Sequence, residues 1–157
     1  DTVTIAFGAA VAVLTVGSTT LSLRLVEGEF PDYEQVIPRA HAHRLVIPRT
    51  ELVAALRRVM VLTTERARGV KCAIHPGTLA LSVNTPDLGE GSEELAIDYQ
   101  GSNLTIGFNG RYLLDFCSAV EPAEQVVMEL ANETTPALLR IGSDPQYRYV
   151  VMPMRIF

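Results

Sequence analysis

The sequence predicts an α+β domain containing a duplicated strand–helix–strand–strand–strand unit, and three observations carry that prediction. Most apolar residues fall in short runs of period two, such as residues 70–74 and 78–83, the mark of half-buried strands. Two stretches instead read as amphipathic helices, "ELVAALRRVMVL" and the segment after Asn109 in "NGRYLLDF". Each follows a short apolar strand and a breaker, and strands come after it, with the two copies roughly 60 residues apart. Two helices and about eight hairpin-connected strands then give antiparallel sheets with both helices on one face.

In chain order, residues 3–7, 11–16 and 20–26 read as strands, the last two separated by "GS". "EGEFPDYEQVIP" is a constrained connection, because Gly28, Pro31 and Pro38 interrupt regular structure. The composition shifts at "RAHAHR", which sets a domain boundary after residue 40. A strand over 44–47 stops at Pro48, and Thr50 is the expected N-cap of the first helix. Leu52, Leu56, Val59 and Met60 share one face of that helix, with Arg57 and Arg58 off it. The turn "HPG" joins strands 70–74 and 78–83, "NTPDLGEGSEE" reads as an acidic loop, and "ELAIDY" as a strand. "GSN" then turns the chain into "LTIGF", and Asn109 caps the second helix. Strands over 125–130, 137–141 and 147–151 complete the second copy.

A length of 157 residues with 48% hydrophobic and 20% charged content describes one ordinary domain, or one and a fragment, with a proper core. No apolar run approaches the roughly 18 residues of a membrane helix. The opening "DTVTIAFGAAVAVLTVG" lacks a basic leader and alternates Val3, Ile5, Phe7, so it reads as a strand beginning a truncated chain. Cys72 and Cys117 sit in apolar patterns and are expected to be buried free thiols of a reducing cytoplasm. The net charge of −5 argues against nucleic acid unless the basic residues are gathered on one face.

Chemistry-bearing residues are sparse. His41 and His43 have a spacing that suits a metal but lack a third ligand, so no metal and no cofactor are expected. Asp87, Glu90, Glu93 and Glu94 read as a solvated or ion-pairing surface. There is no nucleophile elbow, glycine-rich phosphate loop or Walker lysine, and Lys71, the sole lysine, lies in a strand. The chain is therefore not expected to be an enzyme. Arg57, Arg58, Arg66 and Arg68 form a local basic cluster. The ending Met152-Pro153-Met154 is the most pointed feature: methionine adapts to varied apolar partners, and proline ends strand pairing. A pocket at the end of a strand is the physical reading. On the residues alone, a metal- or ligand-binding α+β domain and a purely structural oligomerisation domain remain alternatives.

Four segments, "RLVEGEFPDYEQVIP", "LSVNTPDLGEGSEEL", "IGFNGRYLLDF" and "YVVMPMRI", resemble in order and spacing the bacterial sliding clamp family, the β subunit of DNA polymerase III. The resemblance implies a processivity-fold domain. Residues 1–40 would be the C-terminal remnant of the family's middle domain plus a linker, and 41–157 its complete third domain. It implies a non-enzymatic clamp that closes as a head-to-tail homodimer around duplex DNA, in the bacterial cytoplasm at the nucleoid. By the same resemblance Arg57, Arg58 and Arg111 face DNA. Val61 and Leu62, with Asp87, Glu90 and Glu93, belong to the ring interface. Polymerases, the clamp loader and mismatch-repair proteins would dock short peptides, typically a Gln and a Leu–Phe-like pair. Their groove would be lined by Pro31, Val36, Pro136, Leu138, Val150, Met152, Pro153, Met154 and Arg155. Gln35 stands where relatives often carry Arg and Ala67 where some carry Phe, which implies a roomier groove. Phe157 follows the usual last residue and would cap it. With most of the middle domain and the first domain missing, this chain alone is expected not to close a ring.

Overall fold

The computed structural model describes residues 2–64, 68–121, 124–144 and 146–155, so Arg66, Ala67 and Phe157 lie outside the described residues. The chain forms two compact units, Asp1–Asp32 and Tyr33–Phe157. The first is an antiparallel meander of β1 (Thr4–Phe7), β2 (Val11–Val16) and β3 (Thr19–Arg24). Gly17, at φ 57°, supplies the left-handed residue that a two-residue turn between β2 and β3 needs. Ala12 is the buried apolar residue of this unit, so its small sheet has almost no interior of its own.

The second unit contains the predicted duplication. Its first copy is β4 (His43–Pro48), α1 (Arg49–Val59), β5 (Gly69–His75), β6 (Thr78–Thr85) and β7 (Gly89–Ala96). Its second is β8 (Leu104–Asn109), α2 (Gly110–Ser118), β9 (Gln125–Leu130), β10 (Ala137–Ile141) and β11 (Arg148–Val151). Two four-stranded antiparallel sheets result, ordered β7-β6-β5-β8 and β11-β10-β9-β4. Each copy thus gives its first strand to the sheet of the other, with Leu45 opposite Met128 and Ile106 opposite Cys72.

One core unites the sheets and both helices. Inward positions alternate along the strands, as in Leu79, Leu81 and Val83, and meet Leu52, Leu56 and Val59 of α1 and Leu113 and Phe116 of α2. Arg49, at the start of α1, donates from Nε and Nη2 to the Cys117 carbonyl at 3.0 and 2.9 Å. A cation thereby joins the Val120 amide, 3.3 Å away, in satisfying a carbonyl at the C-terminal end of α2.

Three details differ from the sequence reading. Helix α1 starts at Arg49 with Pro48 at the N-cap, not with Thr50 there. A tertiary carbonyl takes over the capping role, since the Arg49 amide donates to the Glu124 oxygen at 3.3 Å. Asn109 does cap α2, its side chain accepting from the Arg111 amide at 3.0 Å. The acidic stretch read as a loop is the end of β6, a short turn and most of β7, so Glu90 and Glu93 lie on an edge strand. Glycines and glutamates give little strand signal, yet charge is what a free edge tolerates. Finally, residues 33–40 pack with the second unit, so the compact units divide earlier than the composition shift suggests.

The two copies also fasten their ends alike. Val46, fourth in β4, exchanges hydrogen bonds with Asp98, just past β7, at 3.1 and 3.0 Å. Gly107, fourth in β8, accepts from the Met154 amide, just past β11, at 2.8 Å. The apolar ending is thus laid against β8. Among the described residues, no helix is long and apolar enough to cross a membrane.

Candidate functional site

The connection between β9 and β10 is short and locally braced. The Asn132 side-chain oxygen accepts from the Thr134 and Thr135 amides and the Thr134 hydroxyl, each at 2.9 Å. Such a turn holds its backbone without help from a sheet. It forms a shared wall between two clefts. One, of about 290 Å³, is lined by Thr105, Ile106, Gly107, Glu133, Thr134, Pro153, Met154 and Arg155. The other, also about 290 Å³, is lined by Gln35, Val36, Pro38, Arg39, Ala40, Ala131, Thr135 and Pro136.

The expected groove residues therefore fall into sets. Pro153, Met154 and Arg155 stand together, and Val36 stands with Pro136. Val36 and Met152 are 50% and 59% exposed, large apolar side chains left uncovered in this chain. Val150 and Leu138 are direct cross-strand partners of β11 and β10. Both alternate with core residues and so face away from the helices. Leu138 is fully buried, so within this chain it supports the surface instead of lining it. Pro31 is exposed in the first unit. Thr105, Glu133 and Thr134 were not anticipated. Asn132-x-Thr134 carried a usable signal, because an Asn followed two residues on by Thr is a side-chain-braced turn as well as a glycosylation acceptor pattern.

The cations of the helices are arranged unequally. Arg58 forks onto Glu93 of β7, Nε to Oε1 and Nη2 to Oε2, both at 2.8 Å. The hydrogen bond from Arg58 holds the Glu93 carboxyl below its ordinary range and raises Arg58 in turn. Arg111 donates to Asp115 one turn along α2, at 2.9 Å. Arg57 is exposed and makes no ion pair among the described residues. Exposed pairs of this kind are weak and exchange readily for another anion. Sequence reasoning had given Arg58 and Glu93 separate tasks, and the fold brings them together.

The turn after α1 presents Val61 at 75% exposure. Its neighbour Leu62 is pinned: Thr85 Oγ1 donates to the Leu62 carbonyl at 2.8 Å, and a Cβ on Gly91 would lie 2.7 Å from Leu62 Cδ1. Val61 and Leu62 therefore sit beside the β6–β7 turn, which carries exposed Asp87 and Leu88, and beside Glu90 of edge strand β7.

The two histidines serve different places. Tyr99 donates its hydroxyl to the Ser102 carbonyl and accepts from His43 Nδ1 inside the core. His41 Nε2 instead lies 3.8 Å from Glu129, whose neighbour in register is the outward Arg44. Among the described residues, no group of three or more His, Cys, Asp or Glu could hold a metal ion. Burial pushes the Cys72 thiol up to about 12. It pushes Cys117 up to about 11, with Arg49 acting in the opposite direction.

Residues 34–155 match the model of the family described as DNA polymerase III beta subunit, C-terminal domain. The beta sliding clamp of Pseudomonas putida is 40% identical over 142 residues, 90% of this chain and 38% of that protein. That of Escherichia coli K12 is 33% identical over 141 residues, 90% of this chain and 38% of its own length. Among solved structures, the DNA polymerase III subunit beta clamp of Bartonella birtlesii bound to griselimycin superposes with TM-score 0.87 at 36% identity. It covers 98% of this chain and 41% of that one. The Pseudomonas aeruginosa subunit gives TM-score 0.86 at 37% identity, covering 98% and 42%. The chain thus spans about two fifths of the length of the relatives it matches.

Proposed function

Since the chain belongs to the bacterial DNA polymerase III beta subunit family, matched through that subunit's C-terminal domain, we propose that it is the part of a sliding clamp that docks partner peptides. The unit from residue 33 onward acts as the clamp's third domain, and the residues before it as the end of the middle domain. The observation that carries this reading is the pair of clefts on either side of the Asn132 turn. Exposed Val36 and Met154 supply apolar anchoring there, with exposed Met152 two residues before Met154, and Arg155 and Thr134 offer hydrogen bonds to a peptide backbone or side chain. A few buried anchors account for most of the affinity in docking of this type. The partners are replicative and translesion polymerases, the clamp loader and mismatch-repair proteins.

In the full-length protein, Arg57, Arg58 and Arg111 contact the phosphate backbone of encircled duplex, without reading bases. Ring closure uses exposed Val61, Leu62 beside it, the free edge of β7 and the carboxylates Asp87, Glu90 and Glu93. An unpaired strand edge is a ready template for pairing with a second chain. The clamp works in the bacterial cytoplasm on nucleoid DNA. The DNA assignment is tested by Arg57→Glu with Arg58→Glu in the full-length clamp. Loading and processivity fall while folding is kept; unchanged processivity would refute the assignment.

A further inference from the structure

A third cleft, of about 460 Å³, opens on the face of the β11-β10-β9-β4 sheet that is turned away from the helices. It is lined by Glu34, Ile37, Pro38, Arg39, His41, Arg140 and Arg148. Its cations are placed at an electrostatic disadvantage. Arg140 and Arg148 stand directly opposite each other across β10 and β11, a like-charge pair that weakens a sheet. Glu129 accepts from Arg140 Nε at 3.0 Å and also lies 3.8 Å from His41 Nε2. Arg148 and Arg39 are both exposed and make no ion pair among the described residues. In a chain of net charge −5, three guanidinium groups gather here against two carboxylates, Glu34 in the lining and Glu129 beside Arg140.

The position of the cleft indicates an occupant. Pro38 and Arg39 line both this cleft and the apolar one formed with Val36 and Pro136, so the two are continuous. A segment seated by apolar side chains beside Pro136 would extend directly over the arginines. We infer that Arg39, Arg140 and Arg148 form a charge-selecting extension of the docking surface, which takes acidic side chains flanking the apolar anchor of a partner peptide. This rests on the docking reading above and adds the partner's chemistry to it. Guanidinium matches a carboxylate in fork geometry, and such pairs discriminate more than they anchor. Nucleic acid is the less favoured occupant, because the cleft opens on the face away from the helices that carry Arg57 and Arg111.

The test titrates the 157-residue chain with fluorescent Gln-Leu-x-Leu-Phe peptides extended at either end by Glu-Glu or by Gln-Gln. The Glu peptide with the productive flank binds roughly fivefold more tightly than its Gln counterpart at low salt, the scale of one or two solvent-exposed charge pairs. That advantage disappears at high salt and falls toward parity in Arg148→Gln, a residue outside the apolar cleft, which leaves Gln-peptide affinity unchanged. Arg140 is left intact so that Glu129 keeps its partner. Equal affinity for Glu and Gln peptides, or an advantage undiminished in Arg148→Gln, overturns the inference while leaving docking in place. Displacement of the Glu extension by short duplex DNA would assign the arginines to phosphate and also overturn it. No binding of either peptide removes the docking reading and the inference with it.

Discussion

Tyr99 joins two parts of the chain through one hydroxyl, which accepts from His43 Nδ1 and donates to the Ser102 carbonyl. Both the ring and His43 are almost wholly buried, so removing the oxygen leaves a buried donor unmet. Tyr99→Phe is expected to cost about 1–3 kcal/mol, the range for an orphaned buried polar group. Urea unfolding would report this as a lower midpoint at unchanged slope. The buried thiols add a pH signature. The Cys72 thiol is raised from 9.0 to about 12 in the fold, because burial disfavours the thiolate. Its contribution is complete below pH 9 and is lost as pH rises from 9 toward about 12, since the unfolded chain ionises first. Stability should therefore fall over that window, and Cys72→Ala should flatten the fall measured by denaturant midpoints. The histidine spacing that suggested a metal was visible in the sequence, but its resolution was not. Whether His43 meets a metal or a tyrosine 56 residues away depends on tertiary pairing.

Elements were the most legible level. The order of strands and helices followed from apolar periodicity, and Asn109 was readable as a cap because its side chain acts locally. Thr50 failed as a cap because the Glu124 carbonyl, far along the chain, does that work. Strand β7 was read too short because its first five residues, Gly89 to Glu93, include neither β-branched nor aromatic side chains. The Arg58–Glu93 pair between α1 and β7 was invisible for the same reason as the Tyr99 link, a separation of 35 residues. It makes a direct prediction. Glu93 titrates below the ordinary 4.5, and Arg58→Gln returns it toward that value, as followed by side-chain carboxyl NMR. A depressed carboxyl stabilises the fold above its ordinary range and loses that contribution as pH falls through the folded value. An unaltered titration in Arg58→Gln would show that the pair does not persist in solution.

At the scale of the whole molecule, the duplication was legible and the exchange of first strands was not. β4 and β8 are both short apolar strands, and nothing in their own pattern says which sheet each will join. The exchange matters for the site. It places β8, with Thr105 to Gly107, where the residues after β11 can lie against it, and so positions Pro153 and Met154 beside the Asn132 turn. The terminal residues then serve as cleft wall and as a fastening of the second copy. An adaptable apolar ending was readable from Met152-Pro153-Met154, whereas the presence of two clefts depends on the braced loop between them.

The most direct measurement is a titration of a fluorescent Gln-Leu-x-Leu-Phe peptide against the chain and against a version ending at Val151. Saturable binding by the chain that is lost on shortening, with the fold intact by circular dichroism, is the predicted result. Equal binding by both forms would contradict the assignment of Met152 to Arg155 to the docking surface.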